Sequence, residues 1–187
     1  MTFREHVERA ASEVLGEFPA EGVYAVTFRI DSVDQDPRFP YVAVGYADEG
    51  VAARNAGRAS DAWEARWSYA YFGPAGLEGV RIIGHDPEND PAGAELHRRE
   101  AEEQGLWYDG EDEDTDERDE RLDEWFHTLC VEVARHLHAS GRIVAALGRP
   151  VPVILYDMFD PDAMFALTGA ANPAELITEF AAGDPEA

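Results

Sequence analysis

A strongly amphipathic segment near the middle of the chain constrains the fold more than any other feature. Wound at about 100° per residue, residues 122–137 place their large apolar side chains on one stripe roughly 140° wide. The members of this stripe are Leu122, Trp125, Phe126, Leu129, Cys130, Val133 and Leu137. Gly141 stands where a glycine cap would end the helix. Because a stripe of this width suits a helix laid on a sheet, we predict a long helix over residues 119–139 on one face of a β-sheet.

The N-terminal part of the chain predicts a helix followed by two strands. Thr2 and Glu5 have the spacing of a capping box, so a helix should begin at residue 3. Apolar and polar residues then alternate over residues 23–31 and again over 41–47, the pattern of half-buried strands. The simplest topology pairs these strands antiparallel through a long hairpin loop.

The most aromatic stretch of the sequence covers residues 63–72. Its aromatic residues recur at odd positions, which predicts a third strand with an aromatic stripe. They are Trp63, Trp67, Tyr69 and Tyr71. One interpretation is a stripe that packs on the central helix, and the other is a platform for a ligand or a partner.

The remaining elements are shorter. Residues 80–83 predict an edge strand, and the apolar, β-branched run at 151–156 predicts a strand buried on both faces. Asp160 and Pro161 resemble the start of a helix, and a last helix should follow near residue 173. We therefore predict a single α+β domain over residues 1–187. Its mainly antiparallel sheet has about four to five strands, with the long helix on one face, short C-terminal helices and an acidic loop insertion at 109–118.

Composition excludes several classes of function. The formal net charge of −24 should repel nucleic acids and anionic lipids, so we expect neither as a partner. All fifteen basic residues are arginine, a bias typical of a high-GC genome or a salt-adapted proteome. The single cysteine, Cys130, excludes an internal disulfide. No apolar run is long enough to span a membrane and no charged-then-apolar leader opens the chain, so we expect a cytoplasmic protein.

The densest charge lies over residues 109–124, where eleven acids and two arginines give a net of −9. One interpretation is a hydrated loop and helix N-terminus, with the helix dipole favouring the first few acids. A second is an electrostatic contact surface for a basic partner. A third is a cation loop, because Asp112, Asp114 and Asp116 have the alternate spacing that opens an EF-hand. Glu117, however, occupies the position that an EF-hand reserves for glycine.

Histidines are the first candidates for catalysis. His136 falls within the apolar stripe, one turn after Glu132, a spacing that allows a shared hydrogen bond or metal ion. The alternative is a histidine at the edge of the core. His127 and His138 should share the outer face of the helix, about 16 Å apart and too far for one metal. Three others are isolated in the sequence and are interpreted as surface or loop residues: His6, His85 and His97.

Carboxylates at strand ends are the second group. Asp31, Asp48 and Asp157 each end a predicted strand, and Asp160 follows closely. Asp31 and Asp48 should not converge, because adjacent antiparallel strands end on opposite edges of a sheet. Turn and capping roles account for all four residues. If the protein is an enzyme, the candidate catalytic residues are His136, Asp157 and Asp160. No nucleophile motif, phosphate loop or metal signature is present, so we predict no cofactor and no metal.

The order of these elements resembles the bacterial family called domain of unknown function 4303. The matching segments are residues 24–31, 41–47, 63–72, 125–137 and 153–160, and the likeness spans most of the chain. The acidic insertion at 109–116 departs from the family pattern. The family has no established activity, so the resemblance implies no catalytic residue.

Two hypotheses about function follow. The first is a non-enzymatic, immunity-like module whose acidic surface binds a basic protein. Its predicted partner-binding residues are Asp112, Glu113, Asp114, Asp116, Glu117 and Trp107. The second is a small hydrolase or metal-dependent enzyme with a carboxylate and histidine site.

Overall fold

A mixed four-stranded sheet lies at the centre of the computed structural model, which describes residues 1–19, 21–110 and 115–184. The strands are β1 (Val23–Ser32), β2 (Pro40–Asp48), β3 (Arg81–Gly84) and β4 (Val153–Asp157). They lie in the order β3-β2-β1-β4, with β2 antiparallel to both of its neighbours and β4 parallel to β1. The predicted α+β class and mainly antiparallel sheet are confirmed, and the predicted hairpin joins β1 to β2.

Helices cover both faces of the sheet. They are α1 (Phe3–Val14), α2 (Glu49–Asn55), α3 (Ala62–Trp67), α4 (Gly73–Leu77), α5 (Pro91–Glu103), α6 (Asp116–Ala139), α7 (Arg142–Leu147), α8 (Ala163–Ala171) and α9 (Thr178–Ala181). The predicted capping box at Thr2 and Glu5 is formed at the start of α1. The long helix ends as predicted, because Gly141 takes a left-handed conformation with φ of 71°. In the described parts of the chain, no helix is both long and apolar enough to cross a membrane.

One face of the sheet packs against α1 and α6. The apolar stripe of α6 is buried there, and Phe126, Cys130 and Val133 join one core cluster with Phe28 of β1 and Leu155 of β4. Full burial of a large apolar side chain contributes about 1.5–3 kcal/mol, so this stripe is a main source of stability. The predicted packing of the long helix on one face of the sheet is confirmed.

The aromatic segment at 63–72 is not a strand, and it does not pack on α6. It forms α3 and a 3-10 turn (Tyr69–Tyr71) on the opposite face of the sheet. There Trp67 contacts Tyr24 of β1 and Phe180 of α9. The prediction failed because residues four positions apart, such as Trp63 and Trp67, lie on the same face of a helix as well as on the same face of a strand. The side chain of Asp61 favours the helix because it caps the N-terminus of α3, where it accepts a hydrogen bond from the N–H of Glu64.

Helix α8 covers the outer side of β4, the last strand in the order of the sheet, whose strand partner within the described residues is β1. Asn172 accepts a hydrogen bond from the N–H of Val153 and donates one to its C=O, both at 2.7 Å. Thr168 makes the same two bonds with Leu155, at 3.0 and 3.2 Å. These side chains take the place of a neighbouring strand, so the backbone groups at this edge are paired.

The helix start predicted at Asp160 is wrong. Helix α8 begins at Ala163, and a turn over residues 158–162 joins it to β4. The carboxylate of Asp157 organises this turn by accepting hydrogen bonds from the N–H groups of Phe159 at 2.6 Å and Asp160 at 3.2 Å. The last predicted helix is split into a 3-10 turn (Ala174–Leu176) and α9.

Candidate functional site

Several loops meet at one edge of the sheet. Strands β1 and β4 run parallel, with Ile30 beside Asp157, so their C-terminal ends share this edge. Strand β3 ends and β2 begins there as well, because Gly84 pairs with Tyr41. Ring contacts of Phe39 with His85 and Trp107 join the neighbouring segments. We call this edge the strand-end face: the loops 33–39, 85–90 and 158–162, the segment 107–110 and the N-terminal turns of α6.

A histidine–aspartate pair lies at the centre of this face. The Nε2 atom of His127 on α6 lies 2.5 Å from Oδ2 of Asp157, the last residue of β4. The hydrogen bond to Asp157 raises the pKa of His127 against the effect of burial, and the charges of Asp123 and Asp160 add to the rise. Burial opposes ionisation of Asp157, but the bonds from His127 and from the N–H of Phe159 hold its pKa below the usual value. Both partners therefore favour their charged forms.

A narrow cleft opens beside this pair. Its walls include Asp31, Ser32, Asp123 and Phe159. Asp123 lies one helical turn before His127 and is exposed, yet partial burial of its carboxyl group and the charges of Asp157 and Asp119 raise its pKa to about 6. The cleft has a volume of only about 20 Å³, enough for one water molecule. The groups suit proton transfer, but no substrate fits unless the turn at 158–162 moves.

On the β1 side, the cleft is bounded by Asp31, which forms an ion pair. Asp31 pairs with Arg29, two residues before it on β1, and accepts a hydrogen bond from the hydroxyl of Tyr41 at 3.1 Å. As predicted, Asp31 lies far from Asp48, which stands at the opposite edge of the sheet. Asp31 and Asp157 do share an edge, because β1 and β4 are parallel.

We call residues 109–118 the acidic segment. The residues that flank it, Tyr108 and Asp119, are both held at the strand-end face. The hydroxyl of Tyr108 donates a hydrogen bond to Asp119 of α6 at 2.6 Å. The guanidinium of Arg38 donates to the C=O of Tyr108 at 3.2 Å and lies 4.6 Å from the centre of its ring. Asp116 and Glu117, in the first turn of α6, are exposed. Three other predicted partner-binding residues lie outside the described residues: Asp112, Glu113 and Asp114.

Trp107 is packed rather than free on the surface. The indole stacks on the ring of His85 at 5.5 Å, and the guanidinium of Arg98 lies over the indole, 4.9 Å from the ring centre. The indole N–H donates to Asp109 at 3.2 Å. Trp107 is half-buried, so it anchors the start of the acidic segment to the loop after β3.

The three histidines interpreted as surface or loop residues are all buried; His85 does lie in a loop, whereas His6 and His97 lie on α1 and α5. His85 and His97 are joined by a hydrogen bond between their Nδ1 atoms, 2.9 Å apart. Burial lowers the pKa of His85 to about 4 and that of His97 to about 3, so both are neutral at pH 7. His6 pairs with Asp90, whose carboxylate also caps α5. Sequence alone gave no sign of these pairs, because their members are separated by 12 and 84 residues.

The candidates His136 and Asp160 do not form a site with Asp157. His136 is 44% exposed, lies at the edge of the stripe and faces Glu8 at 3.9 Å, whereas Glu132 pairs with Arg4. It lies nine residues beyond His127, about 14 Å along the helix. Asp160 is exposed in the turn after β4, and it influences His127 only through its charge.

The residue that sequence reasoning missed is His127. It was expected on the outer face of α6, but β4 and α8 reach that side of the helix, and His127 is only 22% exposed. The sequence does show that Asp123 and His127 are four residues apart, and so one turn apart on the predicted helix. Their partner Asp157 lies 30 residues further along, and only the parallel pairing of β4 with β1 brings it there.

Comparisons of the chain with protein-family models, curated proteins and solved structures found no match. The resemblance to the domain of unknown function 4303 family therefore stays a prediction. Within residues 1–19, 21–110 and 115–184, no three potential metal-ligating side chains are grouped closely enough to hold a metal ion.

Proposed function

We propose that the protein is a non-enzymatic, immunity-like binding module that engages a basic partner protein through the strand-end face. The observation that carries this proposal is the fixing of the acidic segment at both ends, by the Tyr108–Asp119 hydrogen bond and by Arg38. Asp116, Glu117 and Asp119 are thereby held in the first turns of α6 at the strand-end face, which also carries the exposed Asp160 and Asp162. Charges fixed in place attract an oppositely charged protein without the full entropic cost of ordering a loose tail.

Electrostatics supports a role in association rate and partner choice. A surface with one sign of charge raises the rate of encounter with a complementary partner by 10-fold or more at low salt, and salt screens the effect. Much of the positive charge elsewhere on the chain is engaged locally: Arg66 pairs with Glu49 and Arg81 with Glu17. The net charge of −9 over residues 109–124 is therefore the charge that a basic partner would meet at this face.

The test compares two variants with the same net charge. The first exchanges five acids of the face for their amides: Asp112, Glu113, Asp114, Asp116 and Glu117. The matched control exchanges five exposed glutamates at or near the other edge of the sheet: Glu21, Glu49, Glu78, Glu175 and Glu179. Each protein is immobilised and exposed to lysate of the source cell at low and at high salt. Retained basic proteins are identified by mass spectrometry and purified for kinetics.

We expect the original chain and the control variant to retain the same basic protein at low salt and release it at high salt. The face variant should associate at least about tenfold more slowly, with a weaker dependence on salt. Equal association rates for the two variants would refute the proposed surface, because net charge alone would then explain binding.

A second candidate function is supported by the His127–Asp157 pair. A histidine oriented by a buried carboxylate is the general-base half of a hydrolase site, and Ser32 lies in the same cleft. In this case the turn at 158–162 would open to admit substrate. Hydrolysis of activated esters and phosphoesters should then fall at least 100-fold in His127→Gln and persist in His136→Gln. Equal rates in both variants would exclude this function.

The expected cytoplasmic location belongs to the same proposal, since an immunity-like module acts where its basic partner would do damage. Fractionation of the source cell tests it directly. Recovery in the membrane or extracellular fraction would contradict it.

A further inference from the structure

Two adjacent apolar side chains stand exposed in the turn after β4. Met158 is 39% exposed and Phe159 is 55% exposed. Among the described residues, the other exposed large hydrophobics are scattered singly: Met1, Val80 and Val144. Single exposed apolar residues are ordinary on a protein surface, but a neighbouring pair at a charged face is a feature of contact sites.

The turn that carries these side chains is held in place from three directions. One oxygen of Asp157 accepts hydrogen bonds from the N–H groups of Phe159 and Asp160, and the other oxygen pairs with His127 of α6. The N–H of Met158 donates to the C=O of Ile30 at 3.2 Å. A turn fixed in this way loses little conformational freedom when a partner binds.

Acids surround the apolar pair. Asp160 and Asp162 follow it in the turn, and both are exposed. Asp31 and Asp123 line the same cleft as Phe159. An apolar centre within a charged rim is the arrangement in which a few central side chains supply most of the binding energy.

We infer that Met158 and Phe159 are the apolar anchor of the strand-end face, and that they insert into a pocket that the basic partner rims with arginine or lysine. This inference rests on the proposed function and adds to it the chemistry of the partner. Charge complementarity requires the basic rim, and the exposed ring requires an apolar pocket inside that rim. The acids then set the association rate, whereas the anchor sets the lifetime of the complex.

The experiment selects a phage-displayed library of random peptides on the original chain. Enriched peptides are synthesised, and their affinities are measured for the original chain, for Met158→Ser/Phe159→Ser and for the matched control Val144→Ser. Val144 lies on α7 at the other end of α6 and is 47% exposed. The amide variant of the acidic segment is measured in parallel. Each affinity is determined at several salt concentrations.

We expect the enriched peptides to combine arginine or lysine with large apolar residues. Their affinity should fall about 10- to 100-fold in the anchor variant, which is the loss expected when a Phe side chain is no longer buried in the complex. It should stay unchanged in Val144→Ser. This loss should be the same at low and high salt, whereas the amide variant should lose salt dependence.

Each contrary outcome overturns a different statement. Basic peptides that bind the anchor variant as tightly as the original chain would refute the anchor and leave the acidic surface standing. Enriched peptides that are apolar without basic residues, or no enrichment at all, would refute the basic partner and the anchor together.

Discussion

Exchange of the buried His97 for phenylalanine should make the protein less sensitive to acid. The ring of His97 is fully buried, stacked on Trp125 at 5.0 Å and edge-on to Phe3. Phenylalanine keeps the ring and its stacking but cannot bind a proton. Among the described residues, none forms a hydrogen bond with the Nε2 atom of His97, so a proton there would gain nothing from them.

The magnitude follows from the pKa. Burial, with a smaller contribution from His85, lowers the pKa of His97 to about 3, against about 6.5 in the unfolded chain. Because the folded-state pKa is lowered, the neutral ring supports folding fully above about pH 6.5, and that support is lost as the pH falls towards 3. The loss is about 1.4 kcal/mol for each pH unit below 6.5, or about 2 kcal/mol at about pH 5.

Urea unfolding followed by tryptophan fluorescence at about pH 7.5 and pH 5 measures this loss. Between these values, the original chain should lose about 2 kcal/mol more of its free energy of unfolding than His97→Phe. The comparison cancels the titration of the many carboxylates, which both proteins share. His136→Phe, the same exchange at an exposed position, is measured in parallel as the control for the substitution itself. Parallel pH profiles for the original chain and His97→Phe would refute the buried, neutral state of His97.

Three further substitutions test other parts of the structure by the same unfolding assay. His127→Leu should cost about 3 kcal/mol near pH 6, because it leaves the buried charge of Asp157 without its partner. Since the folded-state pKa of His127 is raised, this cost should shrink as the pH rises through that value. Asn172→Leu should cost about 2 kcal/mol by leaving the outer backbone groups of β4 unpaired. Gly45→Ala should cost about 3 kcal/mol, because its Cβ would lie 1.9 Å from the carbonyl oxygen of Ala75.

Matched controls separate these effects from general damage. At Gly169, which lies within a helix, a Cβ would meet no described atom within 4 Å outside that helix's own backbone, so Gly169→Ala should stabilise the protein by up to about 1 kcal/mol. His138→Leu removes a histidine from the same helix without exposing a buried acid. A cost of His127→Leu that does not change with pH, or costs below about 0.5 kcal/mol for Asn172→Leu or Gly45→Ala, would contradict the contacts described.

Local patterns predicted the elements whose signals lie within a few residues. The stripe of α6, the capping box of α1 and the alternation of β1 and β2 each specify one structure by period or spacing. The aromatic segment failed because Trp63 and Trp67 fit both periods, and packing on Phe180 and Tyr24 settles the choice. Helix α8 begins two residues later than predicted, at Ala163, because the carboxylate of Asp157 and not that of Asp160 holds the preceding turn.

The candidate site was predicted only in part, because its geometry depends on long-range pairing. Asp157 was recognised at the end of a strand, but nothing local indicates that β4 lies parallel to β1. That pairing brings Asp31 and Asp157 to one edge, and it places Asp157 beside His127. His136 failed as a candidate because the histidine at the stripe's edge faces α1 and solvent.

Solubility alone does not account for how the acidic segment is held. A segment that served only to keep the chain dissolved would gain nothing from fixed ends, since hydration and charge act equally well on a loose loop. Here the bond from Tyr108 to Asp119 brings a buried phenol next to a carboxylate, and burial together with that bond raises the pKa of Tyr108 to about 12. The described acids of the first turns of α6, Asp116, Glu117 and Asp119, lie within one helical turn of one another, and like charges at that spacing cost stability. The basic partner that we propose would recover that cost on binding, which is how these acids would favour the complex over the free protein.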